Sequence, residues 1–396
     1  MTSKVHIAAL RILSLIVAIA VGWGIARAVD PRVTAADIQS MRETAAVQAG
    51  HAFLDEYVEG DGRVVRRDEG GDVVSEGQAY GMLIAVAVGD EDRFRAIWDW
   101  TRSHLTRPDG LLSWRWADGA VTDANSAADA DLDAARSLLL ASKRFDDQEL
   151  ADEGKRLGAD ILEAETVAVG GATAPADAPP GQRVVTPGRM VVAGNWTTAP
   201  PFAVDPGYFS PRAERELLHA SADQRWREIS RSQRVLGWQL AGAGRLPPDW
   251  AVVDEAGHAL PTAPPAGGPV HFGLDAARLP IRFAESCESA DRALAASMRT
   301  LVSAPGDVPG LRNLDGTPAS DWQHPVALVA AAATADAAGD ADAAATRLDQ
   351  ATALQQRYPT YFGAAWVALG RIMLATSLLG ECPQNGGRFL HHNPHR

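Results

Sequence analysis

The sequence predicts an all-α chain built from two layers of helices, and three observations carry that reading. Apolar residues recur at helical intervals in one segment after another. Amphipathic segments alternate with segments that are apolar nearly all round, such as 327–333 and 364–378, and a helix apolar on every side is enclosed on every side. The segments are separated by short polar breaks, with only two long Gly- and Pro-rich excursions. An inner layer surrounded by an outer one satisfies all three.

The elements follow in order. Residues 36–57 place Ile38, Met41, Ala45, Phe53 and Leu54 at helical spacing. Residues 76–88 form an apolar helix with Tyr80, Met82, Leu83 and Ile84, and Ser75 is expected to cap its start. Residues 91–105 follow almost without a gap and put Phe94, Ile97, Trp98 and Leu105 on one face. Residues 129–145 and 148–163 make another pair. Further helices are expected at 211–218, 224–240, 275–287 and 290–302, and 325–337, 341–356 and 362–379 close the chain, twelve in all. The excursions are 167–189, followed by Met190-Val191-Val192, and 261–268; each is expected to hold short strands at most. Long loops in a compact domain are often functional.

Composition narrows the class. The chain has 396 residues, 46% of them hydrophobic and 22% charged, which excludes disordered, collagen-like and disulfide-scaffold proteins. No linker divides it and no fixed-period repeat runs through it, so one large domain is expected. The first 28 residues hold Lys4, Arg11, Arg27 and no acid; the remaining 50 acids against 34 bases leave −16. That balance disfavours nucleic acid or another polyanion as partner.

The amino terminus has the layout of a secretory signal. Lys4 and Arg11 precede the apolar run 12–25, and Ala26-Arg27-Ala28 supplies a small-x-small cleavage pattern. The run is shorter than the ~20 residues needed to span a bilayer. Residues 1–28 are therefore expected to be a signal peptide, 29–385 the functional domain and 386–396 a disordered tail. The mature protein is expected to be soluble and monomeric, outside the cytoplasm and without stable membrane insertion; an uncleaved anchor is the alternative. In an oxidising compartment Cys287 and Cys382 could close one long loop, and the sequence leaves that pairing open.

Three carboxylate segments stand out. Glu76 lies in the first turn of its helix, where a carboxylate also serves the helix dipole. Gly77 and Gly81 are costly in that helix and leave room for something to approach. Asp129, Asp131 and Asp133 stand at i, i+2 and i+4, but Ala134 and Leu140 occupy the positions where a calcium loop wants Gly and Glu. Charge at a helix N-terminus is the plain reading of that run. Asp275 is expected to open the helix 275–287, with Arg278 one turn later; the plain reading is a surface ion pair worth little. Trp114, Trp196 and Tyr208 lie between these acids. Exposed rings beside carboxylates suit a sugar polymer, because indoles stack on pyranose faces while carboxylates bind hydroxyls and move protons.

Together these segments resemble glycoside hydrolase family 8. Ser75-Glu76-Gly77 with Tyr80-Gly81-Met82 is similar to the family's acid-bearing segment. Ala127-Ala128-Asp129-Ala130-Asp131 resembles its Ala-(Ser/Thr)-Asp-(Ala/Gly)-Asp signature, with Ala128 lacking the hydroxyl. Asp205-Pro206-Gly207-Tyr208-Phe209 is similar to Asn-Pro-Ser-Tyr-Phe with two substitutions, and Leu274-Asp275-Ala276-Ala277-Arg278 resembles Tyr-Asp-Ala-x-Arg. The matches run in family order. The stretch 123–127, the segment 184–196 and Pro248-Asp249-Trp250 look most like endoglucanases associated with bacterial cellulose synthesis.

The resemblance implies an (α/α)6 barrel of six inner and six outer helices with short β excursions. It implies inverting hydrolysis of a β-1,4-glucan polysaccharide, with Glu76 as general acid, Asp275 as general base and Asp129 orienting the sugar. Tyr80, Tyr208 and Arg278 would line the centre, Trp114 and Trp196 would be stacking platforms, and neither a cofactor nor a metal is needed. Some members carry the base on a preceding loop, where this chain has Asp254 and Glu255. The alternatives are a chitosanase, xylanase or mixed-linkage glucanase of the same family, or a non-catalytic glucan-binding toroid.

Overall fold

The computed structural model describes residues 34–170, 188–242, 244–303 and 308–382. The expected signal peptide and the tail 386–396 lie outside the described residues. The chain divides into two units, Met1–Arg42 and Glu43–Arg396. Of the first, only 34–42 is described, the start of helix α1 (Ala35–Tyr57). The second unit holds the rest of the described chain.

Its elements are mostly helical. Strand β1 (Val73–Val74) leads into α2 (Ser75–Val88), followed by α3 (Glu91–Leu105), β2 (Arg115–Ala117), β3 (Ala120–Asp123), α4 (Ala128–Arg144) and α5 (Gln148–Ala164). Then come β4 (Thr166–Val169), β5 (Gly188–Val191), β6 (Phe202–Val204), α6 (Pro211–Ser221), α7 (Arg225–Ala241), β7 (Trp250–Val253) and β8 (Ala259–Thr262). The chain continues through α8 (Arg278–Glu285), α9 (Ser289–Ser297), α10 (Arg299–Val302), α11 (Pro325–Ala337), α12 (Ala341–Arg357) and α13 (Tyr361–Ala375). The strands pair antiparallel in three small sheets, β1-β2-β3, β4-β5 and β6-β7-β8.

Packing follows burial. Helices α2, α11 and α13 are buried nearly all round, as their apolar sequences require. A closed succession of contacts runs α2–α4–α6–α8–α11–α13 and back to α2. Helix α3 lies on α2, α5 on α4, α7 on α6, α9 on α8 and α12 on α11. In the first pair the outer helix is amphipathic: α3 buries Phe94, Ile97, Trp98 and Leu105 while its acids face outward. Cys287 and Cys382 are bonded, 95 residues apart in sequence. A cross-link of that span is worth roughly 2–5 kcal/mol through the entropy of the unfolded chain.

The structure departs from the sequence expectations in four places. Val74, not Ser75, is the N-cap of α2; the Ser75 amide instead donates to the Trp114 carbonyl, which fastens the β-sheet to the helix start. Asp275 stands in the turn before α8, which begins only at Arg278. The expected helix 290–302 breaks into α9 and α10 at Met298. Gly77 and Gly81 leave no room for a ligand: a β-carbon would meet the Tyr361 hydroxyl at 2.8 Å in the first case and Val64 at 2.8 Å in the second. Both serve close packing of α2 against its neighbours. Residues 171–187 of the first excursion lie outside the described residues; the flanks pair as β4 and β5.

Candidate active site

One cleft of about 640 Å³ opens beside the start of α2, and residues from distant parts of the chain line it. Glu76 comes from the first turn of α2, Asp275 from the turn before α8, Arg278 from the first residue of α8, and Trp114 from the bend just before β2. Trp196 comes from the loop after β5, Trp250 from β7, and Pro265 from the second excursion. Trp250 meets Trp196 and Tyr208, each with ring centroids 6.3 Å apart, so the three rings form one aromatic wall. Trp114 stands apart from it, 37% exposed.

Arg278 organises the floor. It is buried, and its Nη1 donates to Glu76 Oε2 at 2.9 Å, Asp129 Oδ2 at 2.7 Å and Tyr80 Oη at 3.3 Å. Its Nη2 donates to Asp205 Oδ2 at 2.9 Å and Asp275 Oδ1 at 3.0 Å. Its Cζ lies 5.0 Å from the Tyr208 ring centroid, a cation–π contact under the wall. Four carboxylates around one guanidinium are a dense charge cluster, and their environments differ. The Asp275 side chain is 41% exposed, that of Glu76 18%. Burial pushes the Glu76 carboxyl up to about 8; Arg278 opposes this, while Asp129 and Asp275 add to it. Burial also raises Asp129 and Asp205.

The aspartate run of α4 divides three ways. Residues two apart on a helix point about 200° apart and residues four apart share a face, so Asp131 faces away while Asp129 and Asp133 meet Arg278 and Arg282, which are likewise four apart. Asp129 accepts from Arg278, Asp131 from the Leu112 amide at 2.9 Å, and Asp133 receives a bidentate bond from Arg282. All three are buried. Asp129 and Asp131 lie in the first turn of α4, as helix N-terminal charge predicts, and each also has a long-range partner. Next to Asp131, Glu165 accepts from Ser126 Oγ at 2.5 Å, and burial pushes its carboxyl up to about 8. Among the described residues no group of three His, Cys, Asp or Glu side chains is arranged to hold a metal ion.

Glu76, Asp275, Arg278, Trp114, Trp196 and Tyr208 are thus brought to one cleft. Two expected site residues are not part of its lining. Tyr80 is buried against Trp366 and touches the site from behind, through Arg278 and the cleft-lining Phe362. Asp129 is likewise buried behind Arg278. The Asp275–Arg278 pair is no surface pair, since Arg278 is enclosed. Asp254 and Glu255 belong to the turn between β7 and β8 and do not line the cleft; Asp254 pairs with His258. Sequence reasoning assigned no role to Asp205, Asp249 or His324. Asp205 and Asp249 were visible only as acids inside loop motifs, and their partners are an arginine and backbone amides far away in sequence. His324 lines the cleft with Nδ1 accepting from the Val326 amide, and burial lowers its pKa to about 4.

Comparison with known proteins agrees with this arrangement. The family model for glycosyl hydrolases family 8 matches residues 32–363. The chain is 33% identical to the "Probable endoglucanase" of Novacetimonas hansenii, over 60% of this chain and 67% of that one. It is 31% identical to the endoglucanase of Cellulomonas uda, over 56% of this chain and 58% of that one, so the match spans less than two thirds of that relative. Among solved structures it resembles the endo-β-1,4-glucanase CMCax from Acetobacter xylinum, with a TM-score of 0.68 and 28% identity over 84% of this chain and 98% of that one. Endoglucanase Cel10 of Klebsiella pneumoniae, at a TM-score of 0.65 and 23% identity over 82% of this chain and 97% of that one, shares the fold. A match that runs from before the first described helix into the last one covers the cleft and the helices that build it, and this chain belongs to glycosyl hydrolases family 8 and is a glycoside hydrolase.

Proposed function

We propose that the chain is an inverting endo-β-1,4-glucanase with Glu76 as general acid and Asp275 as general base. The observation that carries this is the contrast between two carboxylates on different nitrogens of one arginine. Glu76 is mostly buried and holds its proton up to about pH 8. Asp275 is open to water and anchored by Arg278 Nη2. A neutral acid and an exposed carboxylate are the two groups that inversion requires.

In this reading Glu76 gives its proton to the glycosidic oxygen as the C1–O bond breaks. Water attacks C1 from the opposite face, and Asp275 takes its proton. The step ends with Glu76 ionised, Asp275 protonated and the anomeric configuration inverted. Arg278 keeps both carboxylates in place and spreads its charge among four of them. Asp129, buried behind Arg278, acts by raising Glu76 and holding the guanidinium. Trp114 and the Trp196–Trp250–Tyr208 wall supply faces for glucosyl rings, and β-1,4-glucan is the substrate named for the Acetobacter xylinum neighbour. The six-membered helix succession, with a second helix on five of its members, supports an (α/α)6 barrel.

The signal-like layout of residues 1–28 supports export, with 29–385 as the catalytic domain. No helix among the described residues is long and apolar enough to cross a membrane. The test of the activity is hydrolysis of a polysaccharide panel, followed by proton NMR of fresh products. Cleavage of carboxymethylcellulose with α-anomeric first products is expected. β-Anomers would sink the mechanism, and activity confined to chitosan or xylan would sink the substrate.

A further inference from the structure

The turn that carries Asp275 is gripped from two sides, by Asp249 and by Gly207. On one side Asp249, which is partly buried, accepts two backbone hydrogen bonds with the same oxygen. Its Oδ1 receives the Gly273 amide at 2.9 Å and the Ala276 amide at 2.8 Å, the residues two before and one after Asp275. Asp249 is itself fixed, because its amide donates to the His271 carbonyl at 2.8 Å, two residues before Gly273. The fit is close: a β-carbon on Gly273 would lie 2.3 Å from Asp249 Oδ2. On the other side Gly207 lies against the Asp275 carbonyl, and a β-carbon there would come within 2.2 Å of it. That carbonyl also accepts from the Arg278 amide at 3.1 Å.

We propose that Asp249 is the positioning residue of the catalytic base: it clamps the amides on either side of Asp275 and so fixes where the base carboxylate meets water. The clamp matters because Asp275 stands outside α8 and gains no rigidity from a helix. Its side chain has one anchor, Arg278 Nη2, which it shares with Asp205. A base displaced by an ångström loses its alignment with the attacking water, and such misplacement costs up to about 100-fold in rate. Asp249 acts through backbone geometry, so an amide oxygen can replace its carboxylate oxygen.

This inference rests on the assignment of Asp275 as base, and its test separates the two. Asp249→Ala and Asp249→Asn are made in the full chain and assayed on carboxymethylcellulose, with wild-type activity read first. Asp249→Ala is expected to lower kcat by roughly 10- to 100-fold with KM within about twofold, and Asp249→Asn to restore most of kcat. A folded Asp249→Ala with wild-type kcat overturns the proposal. So does an Asp249→Asn as damaged as the alanine variant, because charge and not the acceptor would then be what matters. Amide hydrogen exchange in the wild-type protein reads the clamp independently of activity and of whether the alanine variant folds. Slow exchange at Gly273 and Ala276 is expected, faster in Asp249→Ala and unchanged in Asp249→Asn; fast wild-type exchange at both overturns the clamp. A wild-type protein inactive on every glucan, with both amides protected, would remove the functional reading and leave the clamp standing.

Discussion

Arg278 Nη1 donates to Glu76 at 2.9 Å and to Asp129 at 2.7 Å, so one nitrogen joins the start of α2 to the start of α4. Its other terminal nitrogen holds Asp205 and Asp275. The guanidinium is therefore both the keystone of the floor and the fixture that keeps two carboxylates of different exposure at one cleft.

Removing that cation leaves buried carboxylates unpaired. Arg278→Met is expected to lower stability by roughly 3–5 kcal/mol and to abolish hydrolysis. Arg278→Lys should recover part of the stability and little of the activity, since an ammonium cannot present two terminal nitrogens in a fixed fork. Urea denaturation and hydrolysis assays read the two effects separately; a fully active lysine variant would contradict the fork's role.

The acid and base variants should part company on an activated substrate. Glu76→Gln and Asp275→Asn are each expected to abolish hydrolysis of natural glucan. With a β-glucosyl fluoride, whose leaving group departs with little protonation, Glu76→Gln should regain part of its rate. Asp275→Asn should not, because its water stays unactivated. Near-normal activity in Asp275→Asn would place the base elsewhere.

The pH dependence has a definite sign. Glu76 keeps its proton up to about 8, so kcat/KM should fall as pH rises through that value. Stability should fall over the same range. Glu76 and Glu165 have pKa values near 8 in the folded chain against an ordinary 4.5, so between those values the native state binds protons that the unfolded chain has released. Their contribution is present below about 4.5 and is lost as pH rises through about 8. Glu165→Gln keeps the acceptor for Ser126 and removes one titration. The drop in Tm between pH 5 and pH 8 should therefore shrink relative to wild type, and an unchanged drop in differential scanning calorimetry would refute this.

Trp114 should matter for binding and little for folding. It is 37% exposed in the cleft and is tied in place by its backbone, which donates to the Asn125 carbonyl and accepts from Ser75. Trp114→Ala is expected to weaken glucan-oligosaccharide binding by about 0.5–1.5 kcal/mol beyond lost burial, measured by calorimetry, with the unfolding midpoint close to wild type. A variant that unfolds would show the ring to be a core plug.

The sequence by itself determined the helices, their alternation of enclosed and half-exposed faces, and the segments that carry Glu76, Asp275, Trp114 and Trp196. These are local properties: periodicity, caps and loop composition are written within a few residues of where they act. The tertiary structure decided what those side chains meet. The run Asp129, Asp131, Asp133 reads as one motif along the chain and becomes three separate contacts once the fold brings Arg278, the Leu112 amide and Arg282 to them. Tyr80 and Asp129, expected at the substrate, are covered because Arg278 from a distant turn lies over them. The two glycines of α2 looked like room for a ligand and are filled by Tyr361 and Val64. Asp249 stood in a legible motif but its role did not, because it acts on backbone amides 24 and 27 residues away, and amides carry no mark in a sequence. Burial and long-range pairing set the charge state of each carboxylate, and both exist only after the chain has closed on itself.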